Sequence, residues 1–267
     1  GYRWQNGTWS EEALLADGSY GAMGGLITTI EDFEKYMALH SSAWPPSSAK
    51  ESTVLKRSSL REMQSQGVFS GLNPQFRYPD GRLCPIASVY AYGLRWTKDC
   101  DGKAWVGHGG GLPGFGSNWR IFPEYGIGVV CFANLTYAST GGINTAVLDT
   151  LVKMANLKPR TVPVSPILQQ RKGEIVKLFA EFNGAEKSGI FAENFFPDNP
   201  IDSVKKKAAG LLEKSGTIIK VGELVAENNL RGSFVMEGAQ SNIDVFFTLT
   251  PEKVPLIQQL DMRERKK

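Results

Sequence analysis

The sequence predicts an α+β fold: an antiparallel sheet flanked by helices, then a second, smaller α+β unit. Three observations carry this expectation. Between residues 92 and 133, short apolar runs recur between Gly- and Pro-rich turns, the pattern of consecutive strands. Apolar residues at helical spacing bracket them, at about 29–40 before and 143–154 after. Beyond residue 157 a Pro-rich stretch intervenes, and helices then precede a run of strands, the element order of an α+β unit.

Each element has its own signal. Thr28-Thr29-Ile30-Glu31 fits a capping box in which Thr28 and Glu31 satisfy each other's exposed backbone donors. Ile30, Phe33, Tyr36 and Met37 then recur at helical spacing, so the helix is expected over about 29–40. His40 falls at its end, where the helix dipole favours a cation. Residues 41–53 are Ser- and Pro-rich and read as a loop; Ser58 or Ser59 starts a short helix through Gln64. From 67 to 85, Gly, Pro, Asn and Asp predict an irregular surface excursion. Strands are expected at 92–97, 103–108, 117–122 and 126–133. Pro123-Glu124-Tyr125-Gly126 is a tight turn that makes the last two a hairpin. The helix after them carries an apolar stripe able to cover one sheet face.

Residues 158–166 hold three prolines and read as an extended linker between a 1–157 domain and a 167–267 extension. In the extension, helices are expected at 167–182 and 201–214. Strands are expected near 217–226, 230–237, 242–249 and 255–261.

Bulk properties exclude several classes. The 267 residues are 42% hydrophobic with mean hydropathy −0.22, the composition of a globular protein with a core. A net charge of +3 leaves no electrostatic footprint for nucleic acid. No apolar run reaches the roughly 18 residues of a membrane span, and the N-terminus does not read as a signal peptide. The first residue is not methionine, so an N-terminal part is expected to have been removed or left out. Cys84, Cys100 and Cys131 are too few and too scattered for a disulfide framework or a zinc site; Cys84 and Cys100 could pair in an oxidising compartment. With two distant histidines and no cysteine cluster, neither a metal nor another cofactor is expected.

The densest chemical signal is Val106-Gly107-His108-Gly109-Gly110-Gly111-Leu112-Pro113-Gly114-Phe115-Gly116, with six glycines in the ten residues from Gly107. Glycine within a strand is costly unless another backbone must come close. Gly109 to Gly114 matches G-x-G-x-x-G, but no helix opens at the loop to face a pyrophosphate. A His-Gly-Gly-Gly oxyanion loop of the α/β-hydrolase kind needs a G-x-S-x-G elbow and a later histidine, and the chain has neither.

The chain resembles the β-lactamase-related serine hydrolases, the group of class C β-lactamases, D,D-peptidases and related esterases. Gly21-Ala22-Met23-Gly24-Gly25-Leu26-Ile27-Thr28-Thr29 looks like the family's Gly-Gly turn into a capped helix. Tyr92-Gly93-Leu94-Arg95-Trp96 is similar to its Tyr-Gly-Leu-Gly-Trp strand, and His108-Gly109-Gly110 to its third motif, His/Lys-x-Gly. Gly114-Phe115-Gly116-Ser117, Pro123-Glu124-Tyr125-Gly126 and Asn134 match the strands that follow. Residues 167–267 resemble a small cystatin-like extension found on some of these hydrolases.

The resemblance implies an acyl-enzyme mechanism on β-lactam, D-Ala peptide or ester substrates. His108, Gly110 and Gly111 would be the catalytic part, with Gly111 supplying an oxyanion donor. Gly109, Trp119 and Tyr92 would line the substrate, and Asn118 is a further candidate. A periplasmic or secreted location is also implied. The family's Ser-x-x-Lys and Tyr-x-Asn motifs are missing. Ser47-Ser48-Ala49-Lys50 and Ser203-Val204-Lys205-Lys206 match the first only formally, and Tyr137-Ala138-Ser139 matches the Tyr-x-Ser form of the second out of order. The expectation is the C-terminal part of a hydrolase, inactive alone, whose partners are a small-molecule or peptide substrate and the missing N-terminal segment. That segment would dock on an apolar face this chain leaves exposed. The alternative is a non-catalytic peptide-binding or regulatory protein on the same fold.

Overall fold

The computed structural model describes residues 1–267 except 17, 48–50, 52, 53 and 66. It divides into two compact units, Gly1–Arg160 and Thr161–Lys267. Among the described residues no helix is long and apolar enough to cross a membrane.

The first unit opens with a hairpin, β1 (Tyr2–Gln5) and β2 (Thr8–Glu11), then α1 (Gly21–Gly24), α2 (Ile30–Ser41) and α3 (Arg57–Ser65). Six strands follow: β3 (Val68–Asn73), β4 (Ile86–Ala91), β5 (Leu94–Asp99), β6 (Ala104–Leu112), β7 (Phe115–Phe122) and β8 (Ile127–Ala133); α4 (Thr140–Met154) comes last. The six form one sheet in chain order, each neighbour antiparallel. From β4 to β8 the connections are two to four residues long, too short for a crossover, which is why these strands meander. Tyr92 and Gly93, the two residues between β4 and β5, both have positive φ (52° and 71°), as a two-residue hairpin of matching twist requires.

Helices cover both faces of this sheet. On one, Met37 of α2 packs into Leu94, Val106, Trp119 and Ile121, with Phe33 beside it. On the other, Leu148 of α4 packs against Trp105 and Phe122. Trp105 and Val106 are adjacent on β6, so strand alternation sends one into each core. Each such fully buried apolar side chain contributes about 1.5–3 kcal/mol. A disulfide joins Cys84, between β3 and β4, to Cys100 just past β5, sixteen residues on. Closing a loop of that length stabilises the fold by about 3 kcal/mol.

The second unit holds α5 (Pro166–Leu178), α6 (Phe195–Asp198) and α7 (Ile201–Ser215), then β9 (Ile218–Val221), β10 (Val225–Asn228), β11 (Arg231–Gly238), β12 (Asn242–Leu249) and β13 (Ile257–Arg265). The sheet order is β10-β11-β12-β13, with β9 also on β11, and α7 packs across β11 to β13. Buried and less buried residues alternate strictly along β11 and β12, so one face makes the core.

The mixed α+β architecture is the expected one, with corrections in detail. Thr29, not Thr28, caps α2: its hydroxyl accepts from the Asp32 amide, one position later than the capping-box reading. The 67–85 excursion contains a true strand, β3, whose Gly71 and Asn73 hid the alternation. β5 begins at Leu94, because Tyr92 and Gly93 are spent on the turn. β6 runs through the glycines to Leu112 instead of ending at His108. The helix expected over 167–182 stops at Leu178, and the 217–226 strand is split into β9 and β10.

His40 also differs from expectation. It is 1% exposed, against the rings of Tyr36 and Trp119, and Gln64 Nε2 donates to its Nδ1 at 3.2 Å. Burial pushes its pKa down, whereas a dipole-stabilised cation would be pushed up. The unfolded chain therefore binds a proton more readily than the folded one. The contribution is fully present above about pH 6.5, the unfolded histidine value, and is lost as pH falls from there through the lower folded value. Melting temperature should decline over that interval, and His40→Gln should flatten the decline. An unchanged slope in the variant would rule the assignment out.

Candidate functional site

The site is built on a strand with two different halves. β5 pairs with β6 only from Lys98↔Ala104 to Arg95↔Gly107. β7 pairs with β6 over its further half, from Val106↔Ile121 to Leu112↔Phe115. Residues 108–112 therefore have β7 on one side and, among the described residues, no strand on the other. Ala104 to Gly107 are buried and His108 to Gly111 exposed, so the change falls at the histidine. Gly107 sits at the joint; a Cβ there would overlap the Trp119 carbonyl.

His108 is held from both ring nitrogens. Nδ1 lies 2.5 Å from the Gly109 carbonyl oxygen, and Nε2 lies 3.0 Å from the Tyr90 hydroxyl. A carbonyl can only accept, so Nδ1 carries the proton, and in the neutral ring Nε2 accepts from Tyr90. Tyr90 thus fixes the ring's orientation. It escaped the sequence reading because β4, which carries it, was not foreseen: the first strand expected in this run began at Tyr92, past the end of β4. The signal available was the hydroxyl-bearing and apolar alternation through Ser88, Val89 and Tyr90.

The glycines each face a neighbour that a larger residue would disturb. Gly109 lies opposite Asn118, whose side chain donates to the His108 carbonyl at 3.3 Å and whose oxygens accept from Asn144 of α4 at 2.7 and 3.0 Å. Gly110 lies opposite Ser117, whose Oγ is 2.7 Å from where a Cβ would stand. A Cβ on Gly111 would overlap the ring of Tyr137, a residue with positive φ (51°) whose amide donates to the Phe115 carbonyl at 3.0 Å. The result is a bare backbone edge, flanked by His108 at one end and Tyr137 at the other. Such an edge can accept an extended chain as an added strand, or offer an amide to a developing oxyanion.

Two expected residues lie elsewhere. Trp119 faces His108 in register but is 6% exposed, its ring against Phe33, Tyr36 and His40, so it belongs to the core under α2. Tyr92 projects from the β4–β5 turn, and its hydroxyl donates to Glu62 of α3 at 3.2 Å, which pushes the phenol pKa up. Ser47 is exposed and accepts from Arg57 at 3.4 Å; Ser48 to Lys50 lie outside the described residues. Ser203 is exposed in the first turn of α7, in the second unit. Among the described residues the only group of potential metal ligands is Cys84, Cys100 and Asp101, and both thiols are in the disulfide.

A family model described as Beta-lactamase matches residues 1–152. No curated protein and no solved structure matches the chain.

Proposed function

The chain belongs to the β-lactamase family, a hydrolase-type family, and on that premise we propose that the 1–160 unit supplies the His-x-Gly strand of a serine acyl-transfer site. The observation that carries this reading is the one-sided, glycine-lined edge of β6 beginning at His108. A substrate carbonyl lies along this edge, and the Gly111 amide donates to the oxyanion that forms when a serine attacks. His108, held in place by Tyr90, exchanges that bond for one from Nε2 to the substrate. Gly109 and Gly110 keep the approach open. Trp119 and Tyr92 are left out of this assignment because of where their rings lie.

The nucleophile, its lysine and the relay tyrosine come from a separate helical segment carrying Ser-x-x-Lys and Tyr-x-Asn, so the 267 residues by themselves do not turn over substrate. Leu14, Leu15, Met23, Leu26 and Ile27, between 60 and 91% exposed, support a docking surface for that segment. Substrates are β-lactams, D-Ala peptides or esters. The Cys84–Cys100 disulfide supports a periplasmic or secreted location, and the 161–267 unit is assigned as a cystatin-like extension.

The test uses the 267-residue chain with a fluorescent penicillin and with a D-Ala-D-Ala peptide. Intact mass should show no adduct, and the amide signals of Gly109 to Gly111 should shift as the peptide is added. A covalent adduct overturns the reading, as do shifts confined to other residues. Peptide binding that persists without acylation once the Ser-x-x-Lys segment is added favours a non-catalytic peptide binder on the same fold, the reading that the same open edge also suits.

A further inference from the structure

A second place on the first unit gathers polar groups that the acyl-transfer reading does not use. Arg95 of β5, Gly107 of β6 and Arg120 of β7 stand in one row across the sheet. Two strand spacings separate the arginines, about 10 Å between their Cα atoms, and the residue between them has no side chain. In this structure Arg95 reaches toward Ser70 of β3 and Arg120 toward Thr145 of α4, and both side chains are long enough to turn inward over that gap when a ligand arrives. They line an open cavity of about 280 Å³ together with Ser88, Thr97, Phe76 and Trp105.

The charges here are unbalanced. Among the described residues, no carboxylate lies within ion-pair distance of Arg95 or Arg120. Arg120 donates to the Thr145 hydroxyl and lies 5.8 Å from the Trp105 ring. Arg95 donates to Ser70 at 3.5 Å and lies 5.8 Å from the Tyr90 ring. Each guanidinium has five N–H donors, so most of the donors of both remain for a ligand. Burial destabilises the Arg120 cation and pulls its pKa down, the cost an anion in the cavity would offset. The acid on the Arg95 strand, Asp99 of β5, is already committed: it accepts from the Tyr78 hydroxyl at 2.6 Å and from the amides of Asp101 and Lys103.

We propose that this cavity binds a small organic carboxylate, its oxygens bridged by Arg95 and Arg120 and its apolar body against Phe76 and Leu72, with the buried Trp105 ring beneath. Arginine's planar fork matches a carboxylate's two oxygens. Ser88 and Thr97 bond each other at 2.9 Å, and one hydroxyl proton of that pair remains to donate. The aromatic wall distinguishes this ligand from a bare inorganic anion. The proposal stands apart from the acyl-transfer reading, since neither arginine enters that argument, and each can fail without the other.

The experiment titrates the full chain with benzoate, benzamide and inorganic phosphate, following the Trp105 indole signal and calorimetry. Benzoate should bind, benzamide should not, and phosphate should bind more weakly than benzoate. R95Q changes an exposed side chain and should keep the melting temperature while weakening benzoate about tenfold or more, the loss of a charge-assisted contact. R120Q should abolish binding, with R95Q as the safeguard should R120Q fold poorly. Equal binding of benzamide, phosphate binding as tight as benzoate, unchanged affinity in R95Q, or no indole shift at millimolar benzoate overturns the assignment.

Discussion

Gly107→Val is expected to unfold the 1–160 unit and leave the 161–267 unit folded. Gly107 is buried between β5 and β7, opposite Arg95 and Arg120. A Cβ there would overlap the Trp119 carbonyl, which is backbone of the neighbouring strand and has no rotamer by which to yield. Either β6 and β7 separate or β6 shifts, and both routes disturb the two cores at once, because Trp105 and Val106 precede the glycine on opposite faces. Overpacking a well-filled core costs about 1–3 kcal/mol where side chains can adjust. With backbone as the obstacle the cost should exceed about 3 kcal/mol, a large share of the 5–15 kcal/mol that holds a domain. The readout is clean because all six tryptophans, Trp4, Trp9, Trp44, Trp96, Trp105 and Trp119, lie in the first unit. Tryptophan emission during urea unfolding follows that unit alone, while far-ultraviolet circular dichroism retains the signal of the second. A Gly107→Val midpoint equal to that of the parent would refute the account of the joint.

The second large effect concerns chemistry. With the Ser-x-x-Lys segment present, Gly111→Pro should lower the acylation rate about 10²–10³-fold, the usual cost of one oxyanion donor. Gly111→Ala keeps the amide and presses only on Tyr137, a ring 65% exposed and able to turn aside, so its loss should be much smaller. The contrast separates a missing donor from simple crowding. Both variants should keep the parent's tryptophan unfolding midpoint. Equal losses in the two would remove Gly111 from the oxyanion role and leave it as spacing.

The parts of the fold legible in the sequence were those whose signal is local. The apolar spacing of Phe33 and Met37 marked α2. The Pro123 to Gly126 turn marked the β7–β8 hairpin, and the alternation in β12 fixed its ends at 242 and 249. What escaped depended on partners distant in the chain. β3 is mostly exposed and interrupted by Gly71, so it is a strand only because β4 lies beside it. Tyr92 looked like a strand residue, but its positive φ belongs to a turn imposed by two strands meeting. Trp119 stood at the right register for the cleft, and only the placement of α2 sends its ring inward. The importance of the His108 segment was legible from its glycine cost. Its partner Tyr90 was not, because eighteen residues and a whole strand, β5, separate them.

The open half of β6 continues a strand whose first half is clamped between two neighbours and two cores. A binding loop must surrender its own freedom when a ligand arrives, at about 1–2 kcal/mol for each backbone residue it orders. Here that loss is borne during folding. A ligand meets a backbone already set in its final shape, so its affinity depends on the contacts it makes, and its arrival needs no rearrangement to wait for.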